Sequence, residues 1–379
     1  MQQSDCLRQP DVSQWQAMHS RRLLLGAAAS LSLPRLARGQ GAPTPGDYLR
    51  VLTLRNRVPA ASAVVLRDGV VSDVMTVGCD AKTLFQAASI SKVVAGLVIL
   101  RLHEKGIVAL DRPVNQVLRG WTLPGADAAA VTPRLLLCHR GGTNVPGFPG
   151  YAAGDPLPGL LQILDGTPPA NTPAIAVTAP PGQAFRYSGG GTMVLQRLAM
   201  DATGQSFEQL AQDLVLAPAG MTRSAFLQPL PVSEGNATAG HDAQGRRLPG
   251  NVHVYPELAA AGLWSTPGDL ARLALAIATS WTGTGGPTLL ERTTARMMAT
   301  PVADGPTGLG LFVAPRGDNP PCLYHYGVNA GFRAALVFTA DARFGVALMT
   351  NGDGGDALIP ELLDPLFATA GQEPFKPAI

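Results

Sequence analysis

The sequence is poor in cysteine, in lysine and in long unbroken apolar runs, and each shortage removes a class of protein. Its four cysteines are Cys6, Cys79, Cys138 and Cys322, none in a C-x-x-C spacing. That pattern supports neither a disulfide framework nor a zinc site. Cys79, Cys138 and Cys322 read as small buried apolar residues, and spacing alone assigns no pairing among them. No stretch approaches the ~20 apolar residues of a bilayer span, so no stable membrane span is expected. The 43 glycines and 33 prolines recur at no fixed period, which excludes collagen-like and solenoid architectures. Charged residues are only 15% against 46% hydrophobic, too apolar a balance for a disordered chain. Five of the 29 basic residues and two of the 27 acidic ones lie in residues 1–39, so the remainder carries 24 against 25, a net charge of −1. No basic patch is left for nucleic acid or an anionic membrane surface. The expected partner is a small molecule or a peptide.

The first clear pattern is a targeting segment. Ser20-Arg21-Arg22-Leu23-Leu24-Leu25 sets paired arginines before an apolar run, Leu23 to Leu33, followed by Pro34 and Ala37-Arg38-Gly39. This is the pattern of a twin-arginine-type export signal, cleaved near Gln40, with Met18 a candidate natural start. It predicts a periplasmic or secreted protein.

Beyond it, Ala61 to Val77 reads as two β-rich runs joined through the turn residues Arg67-Asp68-Gly69. Phe85 to Leu102 reads as one almost entirely apolar helix, the mark of a helix buried on every side. Helical patterns then dominate to about Thr300, at Thr132 to Cys138, Leu157 to Leu164, Gly191 to Ala202, Phe207 to Leu216, Thr266 to Ala278 and Glu291 to Ala299. Strand patterns return at Gly308 to Ala314, Leu323 to Tyr326, Phe332 to Thr339 and Gly345 to Thr350, with a last helix near Leu358 to Ala370. These patterns imply an α+β fold, with an antiparallel sheet drawn from both chain ends and a helical region inserted between them. The predicted parts are an N-terminal extension and signal at 1–39, a sheet part at 40–110 plus 300–379, and a mostly helical part at 111–299.

The chemistry begins with lysine. Of the four lysines only Lys92 has a serine three residues before it, in Ser89-Ile90-Ser91-Lys92 at the start of the apolar helix. Residues three apart on a helix share a face, so the hydroxyl and amine can meet. Burial disfavours the charged form of Lys92 and moves it toward a usable base. Ser89, near a helix N-terminus, sits where free N–H groups stabilise developing negative charge. A hydroxyl inert at neutral pH then becomes a nucleophile.

Alone, Ser-x-x-Lys is a weak signal. It gains weight from an ordered series of further motifs: His103 to Leu110 with Asp111, Thr132 to Gly142 (TPRLLLCHRGG), Pro181 to Gly191 (PGQAFRYSGGG), Pro218 to Thr222, Ala261 to Asp269 and His325 to Arg333 (HYGVNAGFR). This ordered set resembles the β-lactamase-like serine hydrolases, among them class C β-lactamases, D,D-carboxypeptidases, D-aminopeptidases and β-lactamase-like esterases. The resemblance runs from about Val51 to Ala370 and implies the β-lactamase/penicillin-binding-protein fold. It also implies catalytic roles: Ser89 acylated, Lys92 taking its proton, Tyr187 of the second motif shuttling a proton to the leaving group, and His325 opening the third motif. Gly327 and Val328 would lie on the substrate side, with the Val328 and Ser89 N–H groups forming the oxyanion hole. No cofactor is required. His103-Glu104 resembles the start of a zinc-protease motif, but Ile107 stands where its second histidine belongs, so no metal is expected. His139, His241 and His253 read as structural.

Two departures from the family pattern bear on substrate. Gly189 stands where an asparagine usually contacts the substrate amide, and His325 replaces a lysine. Histidine is largely neutral at pH 7, so a carboxylate-bearing substrate would need another charge, from Arg333 or another arginine. The expectation is an exported serine hydrolase acting through a Ser89 acyl-enzyme on esters or amides. The alternatives are a β-lactamase, and a penicillin-binding or sensor protein that acylates without turnover.

Overall fold

The computed structural model describes residues 44–72, 74–286, 288–372 and 375–377. The paired-arginine segment within 1–39 lies outside the described residues. In chain order the elements are α1 (Pro45–Arg55), β1 (Ala61–Arg67), β2 (Val70–Val71), β3 (Met75–Val77), β4 (Phe85–Gln86), α2 (Ser91–Glu104), α3 (Pro133–Leu137), α4 (Leu160–Asp165), α5 (Gly189–Thr203), α6 (Phe207–Ala211), β5 (Ala225–Phe226), α7 (Leu258–Ala261), β6 (Leu263–Ser265), α8 (Pro267–Thr282), α9 (Arg292–Met298), β7 (Phe312–Arg316), β8 (Asn319–Asn329), β9 (Phe332–Thr339), β10 (Phe344–Thr350) and α10 (Gly355–Thr369).

The main sheet is antiparallel in the order β2-β1-β10-β9-β8-β7, with β3 also pairing β1. The expected joining of the two chain ends is the pairing of β1 with β10, in register from Ala61↔Thr350 to Arg67↔Phe344. At the β1–β2 turn, Asp68 and Gly69 both have positive φ, as a type I′ hairpin turn requires. Both faces of the sheet are covered. Val64, Leu336, Phe338 and Ala347 point into the larger core, and α8 packs on the strands that carry them. Ala63, Val337, Phe344 and Val346 point the other way, into a smaller core under α1 and α10. All eight residues of β9 are therefore buried, each large side chain contributing ~1.5–3 kcal/mol.

Besides β5, β6 and α7, which have no counterpart among the sequence-based elements, three details differ from the sequence expectation. The run from Phe85 to Leu102 is not one helix: β4 pairs with β6, a 3₁₀ turn spans Ala88–Ile90, and α2 starts at Ser91. The Ala87 N–H is claimed by Leu263 O at 2.8 Å and Ala88 takes a positive φ, so the backbone cannot enter the helix earlier. Strand and helix are indistinguishable there in sequence because a run buried all round has no period to read. Secondly, α1 has no counterpart among the sequence-based elements; Thr44 and Asp47 cap it reciprocally. Thirdly, α8 lies within 111–299 yet packs on β1, β9 and β10, so the sheet part recruits a helix from the inserted stretch. Among the described residues no helix is long and apolar enough to cross a membrane. Cys79, Cys138 and Cys322 are free thiols.

Candidate active site

Ser89 occupies the 3₁₀ turn and Lys92 the first turn of α2, so the two are one turn apart across a change of helix type. Lys92 Nζ lies 2.9 Å from Ser89 Oγ and donates to Ala260 O at 2.7 Å. Lys92 is 4% exposed, and burial pulls its pKa from 10.5 down to about 7. The neutral amine then becomes accessible near neutral pH, with a hydrogen for Ala260 O and a lone pair for the Ser89 hydroxyl. The turn is braced by Ser91, whose Oγ donates to Ala88 O and accepts from Leu263 N–H.

Tyr187 ends the segment leading into α5, and its ring centroid lies 5.2 Å from Lys92 Nζ. Ser188 caps α5, accepting from the Gly191 N–H at 3.0 Å and donating to Asn144 O at 2.6 Å. The glycines after it are demanded by close packing. A side chain at Gly189 would meet the Phe148 ring at 3.1 Å and Pro146 O at 3.2 Å, and one at Gly190 would meet Asn144 O at 2.9 Å. The loop carrying Phe148 thus lies directly on the start of α5.

His325 sits on β8, its ring centroid 6.3 Å from that of Tyr187. It is 1% exposed, and burial, assisted by the charge of Lys92, pushes its pKa down to about 3. Its Nδ1 lies 2.7 Å from Tyr326 O; a carbonyl only accepts, so Nδ1 carries the hydrogen and Nε2 is a buried acceptor with no hydrogen-bond partner. A side chain at Gly327 would come within 2.2 Å of Ala87 O, which is how closely β8 approaches the turn that carries Ser89. Asn329 faces Phe332 across a two-residue turn. Bonded and non-bonded pairs alternate from there, so the Val328 N–H points away from β9, to the flank that β7 leaves open beyond Tyr324. Asn329 fixes this end of β8 by donating to Gln86 Oε1 at 2.7 Å and Ala261 O at 3.2 Å.

Arg333 is not brought to this group. Val328 and Arg333 are opposite one another, and the strand alternation carries the Arg333 side chain to the sheet face under α10, away from His325. There its guanidinium binds Asp353 at 2.8 Å and Asp356 at 2.5 Å. Its charge is already neutralised, which corrects its assignment as a substrate-binding cation. Among the described residues, no group of three His, Cys, Asp or Glu side chains converges as a metal-ligand set would.

Residues 33–364 match the Beta-lactamase family. The chain belongs to that family. Within the Beta-lactamase family, it is 26% identical over 185 residues to penicillin-binding protein 4 of Amycolatopsis lactamdurans, an alignment covering 46% of this chain and 47% of that one. It is 30% identical over 226 residues to esterase EstB of Burkholderia gladioli, covering 52% and 57%. The chain thus spans about half of each of these relatives. Its fold matches that of a D-amino acid amidase from Ochrobactrum anthropi SV3 with a TM-score of 0.68 at 18% identity, over 86% of this chain and 98% of that one.

Some contacts in this Beta-lactamase-family site carry no sequence signal. Ala260 contributes only a carbonyl, invisible in its side chain. His139 does lie within TPRLLLCHRGG, between Cys138 and Arg140, but reads there as structural. It is 6% exposed with its ring centroid 4.5 Å from that of Tyr187.

Proposed function

We propose that this protein is a serine hydrolase that forms an acyl-enzyme at Ser89, with esters as the preferred substrates and amides second. The observation that carries this reading is the buried Lys92 amine within hydrogen-bonding distance of the Ser89 hydroxyl. Neutral Lys92 takes the Ser89 proton as Oγ bonds to the substrate carbonyl carbon. The resulting oxyanion is received by the N–H groups of Ser89 and Val328. Tyr187, beside Lys92, passes a proton to the leaving-group oxygen as the C–O bond breaks and takes in return the proton that Lys92 holds; a water molecule then attacks the acyl carbon, and one of its protons returns to Ser89 Oγ through the same pair as the acid leaves. His325, neutral throughout the physiological range, offers Nε2 as an acceptor at the edge of this relay.

The preference for esters with apolar acyl groups rests on Gly189 and Phe148. The position offers no side-chain donor for an amide, and the Phe148 ring walls it instead. With His325 neutral and Arg333 bound to two carboxylates, no fixed charge on β8 or β9 awaits a substrate carboxylate, which argues against efficient hydrolysis of penicillins. The esterase relative and the amidase fold neighbour are compatible with this ordering. Export through the paired-arginine segment at Arg21 and Arg22 belongs to the same proposal.

Turnover of p-nitrophenyl butyrate and of a chromogenic cephalosporin, compared for wild type and Ser89→Ala, tests the assignment. Ester turnover should dominate and disappear in Ser89→Ala. Undiminished hydrolysis by the variant would refute it; faster cephalosporin turnover would make the protein a β-lactamase, and a stable adduct without turnover a penicillin-binding or sensor protein.

A further inference from the structure

We propose that His139 is a positioning residue that holds Tyr187 at the angle its proton transfer requires. The inference rests on the proposed role of Tyr187 as the proton donor to the leaving group. Three contacts from one residue converge on this tyrosine and its two chain neighbours. The His139 carbonyl accepts the Arg186 N–H at 2.7 Å. The His139 Nδ1 accepts the Ser188 N–H at 3.3 Å. Between those two bonds the imidazole lies against the Tyr187 ring, centroids 4.5 Å apart and planes at 39°. The residues before and after Tyr187 are thus tied to the main chain and the ring of the residue that packs on it.

The next residue extends the clamp. Arg140 donates from Nε to Gly182 O at 3.1 Å and from Nη2 to Gln183 O at 3.0 Å. The approach to Tyr187 is therefore fastened at its start by Arg140 and at its end by His139.

His139 fulfils this role in an uncommon backbone conformation, with φ of +56°. A left-handed residue that is not glycine persists only where its surroundings over-determine it, and here the bonds to Arg186 and Ser188 do so. Accepting from the Ser188 N–H requires a bare Nδ1, so the ring is neutral with its hydrogen on Nε2. Burial, helped by the nearby charge of Lys92, favours that neutral state. A cationic ring would turn an N–H toward Ser188 and break the clamp.

A double-mutant cycle on ester hydrolysis tests the proposal, using His139→Ala, Tyr187→Phe and the double variant, with His139→Asn as the conservative replacement. Asparagine tolerates left-handed φ, and its Oδ1 can take the place of Nδ1 as acceptor. Tyr187→Phe should lower kcat by ~10²-fold or more. His139→Ala should lower kcat by about tenfold or more with KM within about twofold, and by less than about twofold when Tyr187 is already phenylalanine. His139→Asn should recover at least about threefold of the alanine loss. Equal losses in both tyrosine backgrounds, or an unaffected kcat in His139→Ala, would overturn the inference. Undiminished turnover in Tyr187→Phe would instead remove the role of Tyr187 itself. If His139→Ala does not fold by circular dichroism, the same cycle with His139→Gly, which tolerates the left-handed φ, decides: a loss that vanishes in the Tyr187→Phe background upholds the clamp, and an additive loss or none removes it.

Discussion

Replacing Lys92 by methionine should destroy turnover and stabilise the fold, and the size of the gain should depend on pH. A native pKa of about 7 against an ordinary value of 10.5 means, at ~1.4 kcal/mol per pH unit, that the buried ammonium is disfavoured by on the order of 5 kcal/mol. Methionine fills a similar volume without a charge, but leaves Ala260 O and Ser89 Oγ without their donor, at a cost of ~1–3 kcal/mol. At pH 6 the net gain is therefore on the order of 2–4 kcal/mol. Below pH 7 native and unfolded chains both bind the lysine proton, and the destabilisation is fully present. Between pH 7 and 10.5 only the unfolded chain keeps it, so wild-type stability rises with pH. Over pH 7 to 9 the wild type should gain ~2–3 kcal/mol that Lys92→Met does not. Urea unfolding followed by circular dichroism at pH 6, 7, 8 and 9 measures the difference. A gap between the two proteins that is constant over this range would refute the reasoning, since it would mean that Lys92 stays charged in the native state.

The same amine should govern activity: kcat/KM for an uncharged ester should fall about tenfold per pH unit below an apparent pKa of about 7, whereas a profile flat from pH 5 to 8 would contradict Lys92 as the base. Arg333→Leu should cost ~3 kcal/mol, at the low end for a broken buried ion pair because Asp353 and Asp356 are partly exposed. Its KM for uncharged and carboxylate-bearing esters should stay in the wild-type ratio; a selective rise for the carboxylate would reinstate Arg333 as a substrate contact. Gly189→Asn should lose ~1–3 kcal/mol by overpacking against Phe148 and Pro146, read from the denaturant midpoint, and gain no cephalosporin turnover. Unchanged stability together with new turnover would show that the loop yields.

Legibility in the sequence tracks the strength of local pattern. Phe332 to Thr339 is legible with its observed limits because a β-rich run there is bounded by Gly331 on one side and Ala340-Asp341 on the other. The pairing of Ser89 with Lys92 is legible because helical spacing converts directly into contact. Features that need tertiary information are less accessible. Nothing in Phe85-Gln86 declares a strand until β6, almost 180 residues on, supplies its partner. Arg333 stands close to His325 in the sequence, but which face it occupies depends on strand alternation and on Asp353 before α10 and Asp356 in its first turn. His139 looks like an ordinary core histidine, since its bonds reach a segment more than 40 residues away.

The central claim is that Ser89 is the acylated nucleophile, and intact-mass spectrometry with a fluorophosphonate probe tests it most directly. Wild type should gain one phosphonyl adduct, mapping to the peptide that holds Ser89, and Ser89→Ala should gain none. An adduct on another residue, or labelling undiminished in Ser89→Ala, would contradict the account.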